Sequence, residues 1–296
     1  MLIEKYLTLS TSKQDVDYSI TMYKTPDLSN FKNIGNIIYP FKNCVYKQKI
    51  LSEQNVIIYA EKQEFSDEHV IVRNNDIISI YSNSDDIYWY TIKMIDELII
   101  RKLFDMGFFP LHASSVSDKN GSLVFVGYSG MGKSTSMYYY SMFENMNPQA
   151  NDTVFVGRIG NEWHSFGIIE DATFGESLIK DKQPEERFGS KKVRFTPIEY
   201  EQYSNVKYNY MSKINNIVFV NLNQYGEYKE YTVEPSQIDL NMFVDKKLKY
   251  GDILAINNLS PHYSIEDLIR ENQFYGCSGN ILKKQSVRRR QNENML

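Results

Sequence analysis

A chain of 296 residues is long enough for one large domain or two modest ones with a real core. With 42% hydrophobic and 24% charged residues it has the balance of an ordinary globular protein, and a net charge of −4 argues against a general nucleic-acid partner. Its two cysteines, Cys44 and Cys277, have neither metal-ligand spacing nor the density of a disulfide scaffold. The start, Met1-Leu-Ile-Glu-Lys-Tyr6, lacks the basic-then-apolar pattern of a secretion signal. No apolar stretch approaches the ~18 residues of a membrane span, so a cytoplasmic location without a membrane partner is expected.

From Met1 to Asp86 the pattern is strand-like. Val56–Ala60, Val70–Arg73 and Ile77–Tyr81 are β-branched runs divided by polar turns such as Asn74-Asn75-Asp76. This predicts a small β-rich N-terminal module over 1–86. His69 stands alone there and reads as a surface or packed histidine. A helix follows, capped by Asp85 or Asp86 and ended by Gly107. Its apolar stripe is Tyr88, Ile92, Ile95, Ile99, Leu103 and Met106.

Leu111 to Ser117 reads as a strand, and Asp118-Lys-Asn-Gly121 as a turn into a second strand, Leu123–Val126. Directly after it stands Gly127-Tyr128-Ser129-Gly130-Met131-Gly132-Lys133-Ser134-Thr135, which matches G-x-x-x-x-G-K-[ST]. A helix over Ser134–Asn145 completes the strand, glycine turn and helix that this phosphate-binding P-loop requires. Glycines let backbone N–H groups converge on a phosphate, and the helix N-terminus adds partial positive charge. Lys133 is placed to reach the outer phosphates, and the Ser134 hydroxyl to ligate Mg²⁺. A nucleoside triphosphate with Mg²⁺ is therefore the expected ligand.

Asn147-Pro148 breaks the pattern. Ala150–Val156 and Trp163–Ile169 form the next expected hairpin, around Gly160-Asn161. Asp171 to Gly189 is polar and strand-poor, a candidate mobile loop. Glu170, Asp171, Glu176 and Lys182 are its candidate contributors to a site, each more simply read as solvated. Ile217–Leu222 is a buried strand that carries no acid at its end, unlike the magnesium-binding strand of most P-loop ATPases. The basic clusters Lys191-Lys192-Val193-Arg194, Lys246-Lys247-Leu248-Lys249 and Lys283-Lys284 followed by Arg288–Arg290 read as solvated surface or frayed tail, and 281–296 as a charged, disordered tail.

With no acid on that strand, the nearest suitable one is Asp152, just inside the strand after the helix. Leu111-His112, the glycine loop and Ala150-Asn151-Asp152-Thr153-Val154 together resemble the catalytic domain of the HPr kinase/phosphorylase family, over about 45 residues. The resemblance implies an α/β fold of the HPr-kinase-like (PEP-carboxykinase-like) P-loop type. Such a fold has a mixed β-sheet core with helices over 87–280, behind the β-rich module. It also implies an ATP-dependent kinase acting on a hydroxyl, serine foremost, of a small protein or peptide, and a homo-oligomer. By the same resemblance Asp152 and Ser134 hold Mg²⁺, and Asp152, His112 and Lys133 are the catalytic residues. A backbone-bonded core histidine remains the alternative for His112, and a turn cap the alternative for Asp152.

The family's Asp-Asp pair is Asn151-Asp152 here, and an asparagine cannot take a proton. The departure predicts loss of the family's phosphate-dependent reverse reaction. Two other functions stay open. One is a nucleotide-binding regulatory or assembly protein with little transfer chemistry; the other is a small-molecule kinase, disfavoured by the absence of an Arg-rich lid.

Overall fold

The computed structural model describes residues 19–25, 27–38, 46–52, 55–62, 67–84, 95, 98–100, 102–104, 106–168, 170–179, 181–187, 190–223, 225–238 and 265–284. They fall into two units, one spanning 1–102 with 246–260 and the other 103–245 with 261–296.

The first unit is a six-stranded sheet. Its strands are β1 (Ser19–Lys24), β2 (Asn36–Ile38), β3 (Tyr46–Ser52), β4 (Asn55–Ala60), β5 (His69–Asn74) and β6 (Ile77–Ser82). The order is β1-β6-β5-β4-β3-β2: an antiparallel meander from β2 to β6, with β1 added parallel to β6. The three β-branched runs picked out in the sequence are β4, β5 and β6. Asn74 pairs with Ile77, so Asn75 and Asp76 form a two-residue hairpin loop, and Asn75 takes the positive φ (53°) such a loop needs. Ile78 and Ile80 of β6 are fully buried while Ser79 and Tyr81 are half-buried, the period of two expected of a strand with one covered face. Of the helix expected between Asp85 and Gly107, residues 95, 98–100 and 102–104 are helical, Met106 and Gly107 form a turn with Gly107 at φ 84°, and the remainder lies outside the described residues.

The second unit is of mixed α/β class. It opens with β7 (Phe109–Asp118) and β8 (Gly121–Val126), joined by the Asn-Gly turn, and continues into helix α1 (Lys133–Phe143). Next come β9 (Asn147–Ala150), β10 (Thr153–Ile159), β11 (Glu162–Gly167), β12 (Ala172–Gly175), β13 (Glu185–Arg187) and β14 (Ser190–Phe195). Helix α2 (Pro197–Ser204), β15 (Met211–Leu222), β16 (Lys229–Thr232), α3 (Ile265–Glu271) and β17 (Phe274–Gly279) complete it.

The large sheet runs β11-β10-β7-β8-β15-β17-β16, with β9 also on β7. Strand β15 makes the sheet curl. A register shift between Ile214 and Asn216 lets its first residues, Met211–Lys213, pair with β11 while the rest lies parallel to β8 and β17. The three parallel strands are the most apolar part of the sheet: Val124, Val126, Ile217 and Val220 are buried, as strands covered on both faces must be. On one face α1 packs Met137 and Tyr138 against Phe125, Phe174 and Tyr200.

Two sequence expectations change here. The segment 171–189, expected as a strand-poor loop, contains β12 and β13, which join β14 in a three-stranded sheet of order β12-β14-β13. Ala172 and Phe174 are buried in the α1 core, but two apolar residues in a four-residue strand are too short a pattern to see in the sequence. Of the segment read as a charged tail, 281–284 form a tight turn with Ile281 and Lys284 buried, and 285–296 lie outside the described residues. Lys284 keeps its charge against the cost of burial by donating to the Tyr140 hydroxyl (2.8 Å) and the Glu230 carboxylate (2.7 Å).

Candidate functional site

Strand β8 ends at Val126, and the loop Gly127–Gly132 carries the chain into α1. Two glycines there are dictated by neighbours. A Cβ on Gly127 would stand 2.7 Å from the carbonyl oxygen of Val220. One on Gly132, which lies in the left-handed region at φ 101°, would stand 2.7 Å from Cβ of Leu222. The end of β15 thus presses on both ends of the loop, and the Leu222 amide donates to the carbonyl of Met131 (2.9 Å). Gly130 differs: its φ is 82° and a Cβ there would meet nothing within 4 Å. The middle of the loop is therefore an open backbone cradle on a buttressed base.

Helix α1 starts at Lys133 with no side-chain cap on its N-terminal amides and no acidic residue in its first turn, leaving its partial positive charge for an external anion. Ser134 and Thr135 lie half-buried in that first turn. The Lys133 side chain folds back along the loop, donating to the carbonyls of Gly127 (2.8 Å) and Tyr128 (3.2 Å). Burial holds its pKa below the usual lysine value, while the nearby Asp152 carboxylate works to raise it. Ser114 of β7 donates its hydroxyl to the Lys133 carbonyl (2.7 Å), pinning the helix start to the sheet.

Two residues before Ser114 on the same strand stands His112. Its Nδ1 lies 3.2 Å from Oδ1 of Asp152, both side chains about one-third exposed. Strand pairing explains the contact, because Thr153 of β10 is the register partner of His112. The sequence-selected His112, Asp152 and Lys133 are thus brought together at the glycine loop. Tyr128 and Ser129 are exposed on its outer side.

The other candidates separate. Asn151, adjacent to Asp152 in sequence, is only 4% exposed, and its Nδ2 donates to Oγ1 of Thr173 on β12 (3.2 Å). Asp171 pairs with Arg194 of β14 (3.1 Å), and Lys182 donates to the Arg194 carbonyl (2.6 Å). Of the remaining histidines, which were no candidates, His164 lies 3.1 Å from the carbonyl oxygen of Glu162, and His262 lies outside the described residues.

Glu170 is the residue whose part the sequence concealed. Its Oε1 accepts from the backbone amides of Asn151 (2.8 Å), Asp152 (2.6 Å) and Thr153 (3.2 Å). Backbone donors leave no trace in residue identity, so no spacing rule could have paired Glu170 with them.

An open cradle, a lysine beside it and a partly exposed carboxylate on the adjoining β9–β10 connection are the donor set that a nucleotide phosphate chain with its Mg²⁺ requires. The residues present fit that group. Among the described residues, no cluster of three His, Cys, Asp or Glu side chains could hold a metal by itself, so a divalent ion here would need oxygens from its ligand.

No family model matches the sequence, and no curated protein matches it. Among solved structures the chain is similar to the HPr(Ser) kinase/phosphatase from Coxiella burnetii, with 11% identity and a TM-score of 0.30, over 63% of this chain and 98% of that one. A likeness that loose carries no weight for function. No described helix is long and apolar enough to cross a membrane.

Proposed function

We propose that this chain is an ATP-dependent phosphotransferase that moves the γ-phosphoryl group to a hydroxyl, serine foremost, of a small protein or peptide. The observation that carries the reading is the convergence of Lys133 of α1, His112 of β7 and Asp152 of the β9–β10 connection on the glycine loop.

In this reading the loop Gly127–Gly132 is a P-loop, whose amides, with those of Lys133, Ser134 and Thr135, hold the phosphates. Lys133 exchanges its two loop carbonyls for phosphate oxygens, so its folded-back position stores the donor until nucleotide arrives. Ser134 and Asp152 hold Mg²⁺, which neutralises the charge of the phosphate chain when bound. Asp152, steadied by His112, accepts the proton of the acceptor hydroxyl. Transfer of this kind rests on positioning and charge neutralisation, so one carboxylate suffices where the resembling family has two.

The test is isothermal titration with Mg-ATP, followed by transfer of label from γ-labelled ATP in cell extract. The expected result is binding, with label entering protein. Lys133→Ala should weaken binding by roughly 10- to 100-fold, the loss of one charge-assisted contact set. Tight binding without any transfer would replace this reading with that of a nucleotide-binding regulatory protein. Label found in a small metabolite and none in protein would replace it with a small-molecule kinase.

A further inference from the structure

We infer that Glu170 is the positioning residue for Asp152: its carboxylate bends the backbone at 151–153 and thereby aims the Asp152 side chain at the nucleotide site. The inference rests on the function proposed above and adds to it a residue outside the glycine loop and the His112–Asp152 pair.

The argument begins with the backbone. Strands β9 and β10 both lie on β7, and the register runs from Ala150 opposite Ser115 to Thr153 opposite His112. Residues 151 and 152 fill the interval without belonging to either strand. In an extended strand successive N–H groups point to opposite sides. Here three successive N–H groups, of Asn151, Asp152 and Thr153, point to one oxygen of Glu170 at 2.8, 2.6 and 3.2 Å. Converged amides form a concave patch of partial positive charge, and an anion at its centre stabilises the bend.

The other edge of this stretch is tied to β7, where the Ala113 amide donates to the carbonyl of Asp152 (3.1 Å). The bend is thus fixed from both sides. Removing the carboxylate leaves three like dipoles facing one another, and the backbone relieves them by rotating toward the extended form. In that form the Asp152 side chain turns away from His112 and Lys133.

Glu170 is itself held in place. Asp171 pairs with Arg194 of β14, and Ala172 begins β12 fully buried opposite Phe195. The three-stranded sheet therefore anchors the clamp, and the clamp sets the carboxylate.

The experiment compares wild type, Glu170→Ala, Glu170→Gln, Asp152→Ala and the Glu170→Ala/Asp152→Ala double variant by ATP titration with Mg²⁺ and with EDTA. Hydrogen exchange of the 151–153 segment is followed in nucleotide-free protein. ATP affinity in EDTA reports the glycine loop alone and serves as the folding control; it should stay within about threefold of wild type in Glu170→Ala and Glu170→Gln. The gain in affinity conferred by Mg²⁺ should fall by about tenfold in Glu170→Ala, by the same factor in Asp152→Ala, and by no more in the double variant. Glu170→Gln, which keeps an accepting oxygen, should retain most of the gain. Exchange at 151–153 should accelerate in Glu170→Ala.

The inference is overturned by an undiminished Mg²⁺ gain in Glu170→Ala, or by a loss that is just as large when Asp152 is already absent. Wild type that binds no ATP overturns the functional reading itself. The exchange data would then still report, separately, whether Glu170 holds the turn.

Discussion

Asn151 and Asp152 are neighbours in the chain with opposite fates. The bend held by Glu170 sends the Asp152 carboxylate toward His112, at 3.2 Å, and buries the Asn151 amide against Thr173. Asn151 Oδ1 is buried with no hydrogen-bond partner among the described residues, and the Glu170 carboxylate accepts from the backbone N–H of Asn151. The missing acid of the resembling family's pair therefore leaves no gap at the site; the position faces the interior. Asn151→Asp should place a second, poorly solvated carboxylate beside the first and destabilise the chain by about 2 kcal/mol, without creating phosphate-dependent release of pyrophosphate. Urea unfolding and a pyrophosphate assay check both halves. Unchanged stability together with new pyrophosphate release would show that the side chain reaches the glycine loop after all. Residue identity marked both positions in the sequence; which of them faced the site was set by a backbone bend that has no sequence signature.

At the scale of elements, the glycine loop depends on a strand far from it in sequence. Leu222 at the end of β15 closes on Gly132 so tightly that a methyl group there would stand 2.7 Å from its Cβ, at a φ of 101° that disfavours any side chain. Gly132→Ala should cost about 2 kcal/mol of stability and displace the start of α1, weakening ATP binding even though Lys133 is intact. Thermal melting and titration check it, and a variant that melts and binds like wild type would mean the loop adapts freely. Strand β8, the loop and α1 were legible because each has a local signal: an apolar run, a spaced glycine pattern and a helical period. Helix α2 went unread in the sequence, although Thr196-Pro197-Ile198-Glu199 spells a capping box with proline in the first turn, and both of its reciprocal bonds form. Strand β12 had no local signal, being four residues long and recognisable only by what it buries.

For the molecule as a whole, the two units give separate handles on stability. In the first, His69 opens β5 and is buried, with Nδ1 2.9 Å from the Asp67 carbonyl. Burial lowers its pKa from 6.5 to about 4, against the opposing pull of Asp67. Between those values the unfolded chain binds a proton that the folded one refuses, so stability is complete above about pH 6.5 and declines as the pH falls toward 4. Urea unfolding of the full chain should lose about 2 kcal/mol between pH 7 and pH 5 through this group, and His69→Gln should abolish that part. An identical pH dependence in the variant would rule His69 out as its source. The sequence by itself determined β4, β5 and β6 of the first unit and the glycine loop with its lysine, because periodicity and glycine spacing are written locally; His112 and Asp152 were singled out by the family resemblance. Tertiary structure alone decided that β15 buttresses the loop, that Asn151 turns inward, and that Glu170 holds Asp152. Those outcomes depend on backbone amides, close approaches and register between distant strands, which every residue shares and no residue type announces.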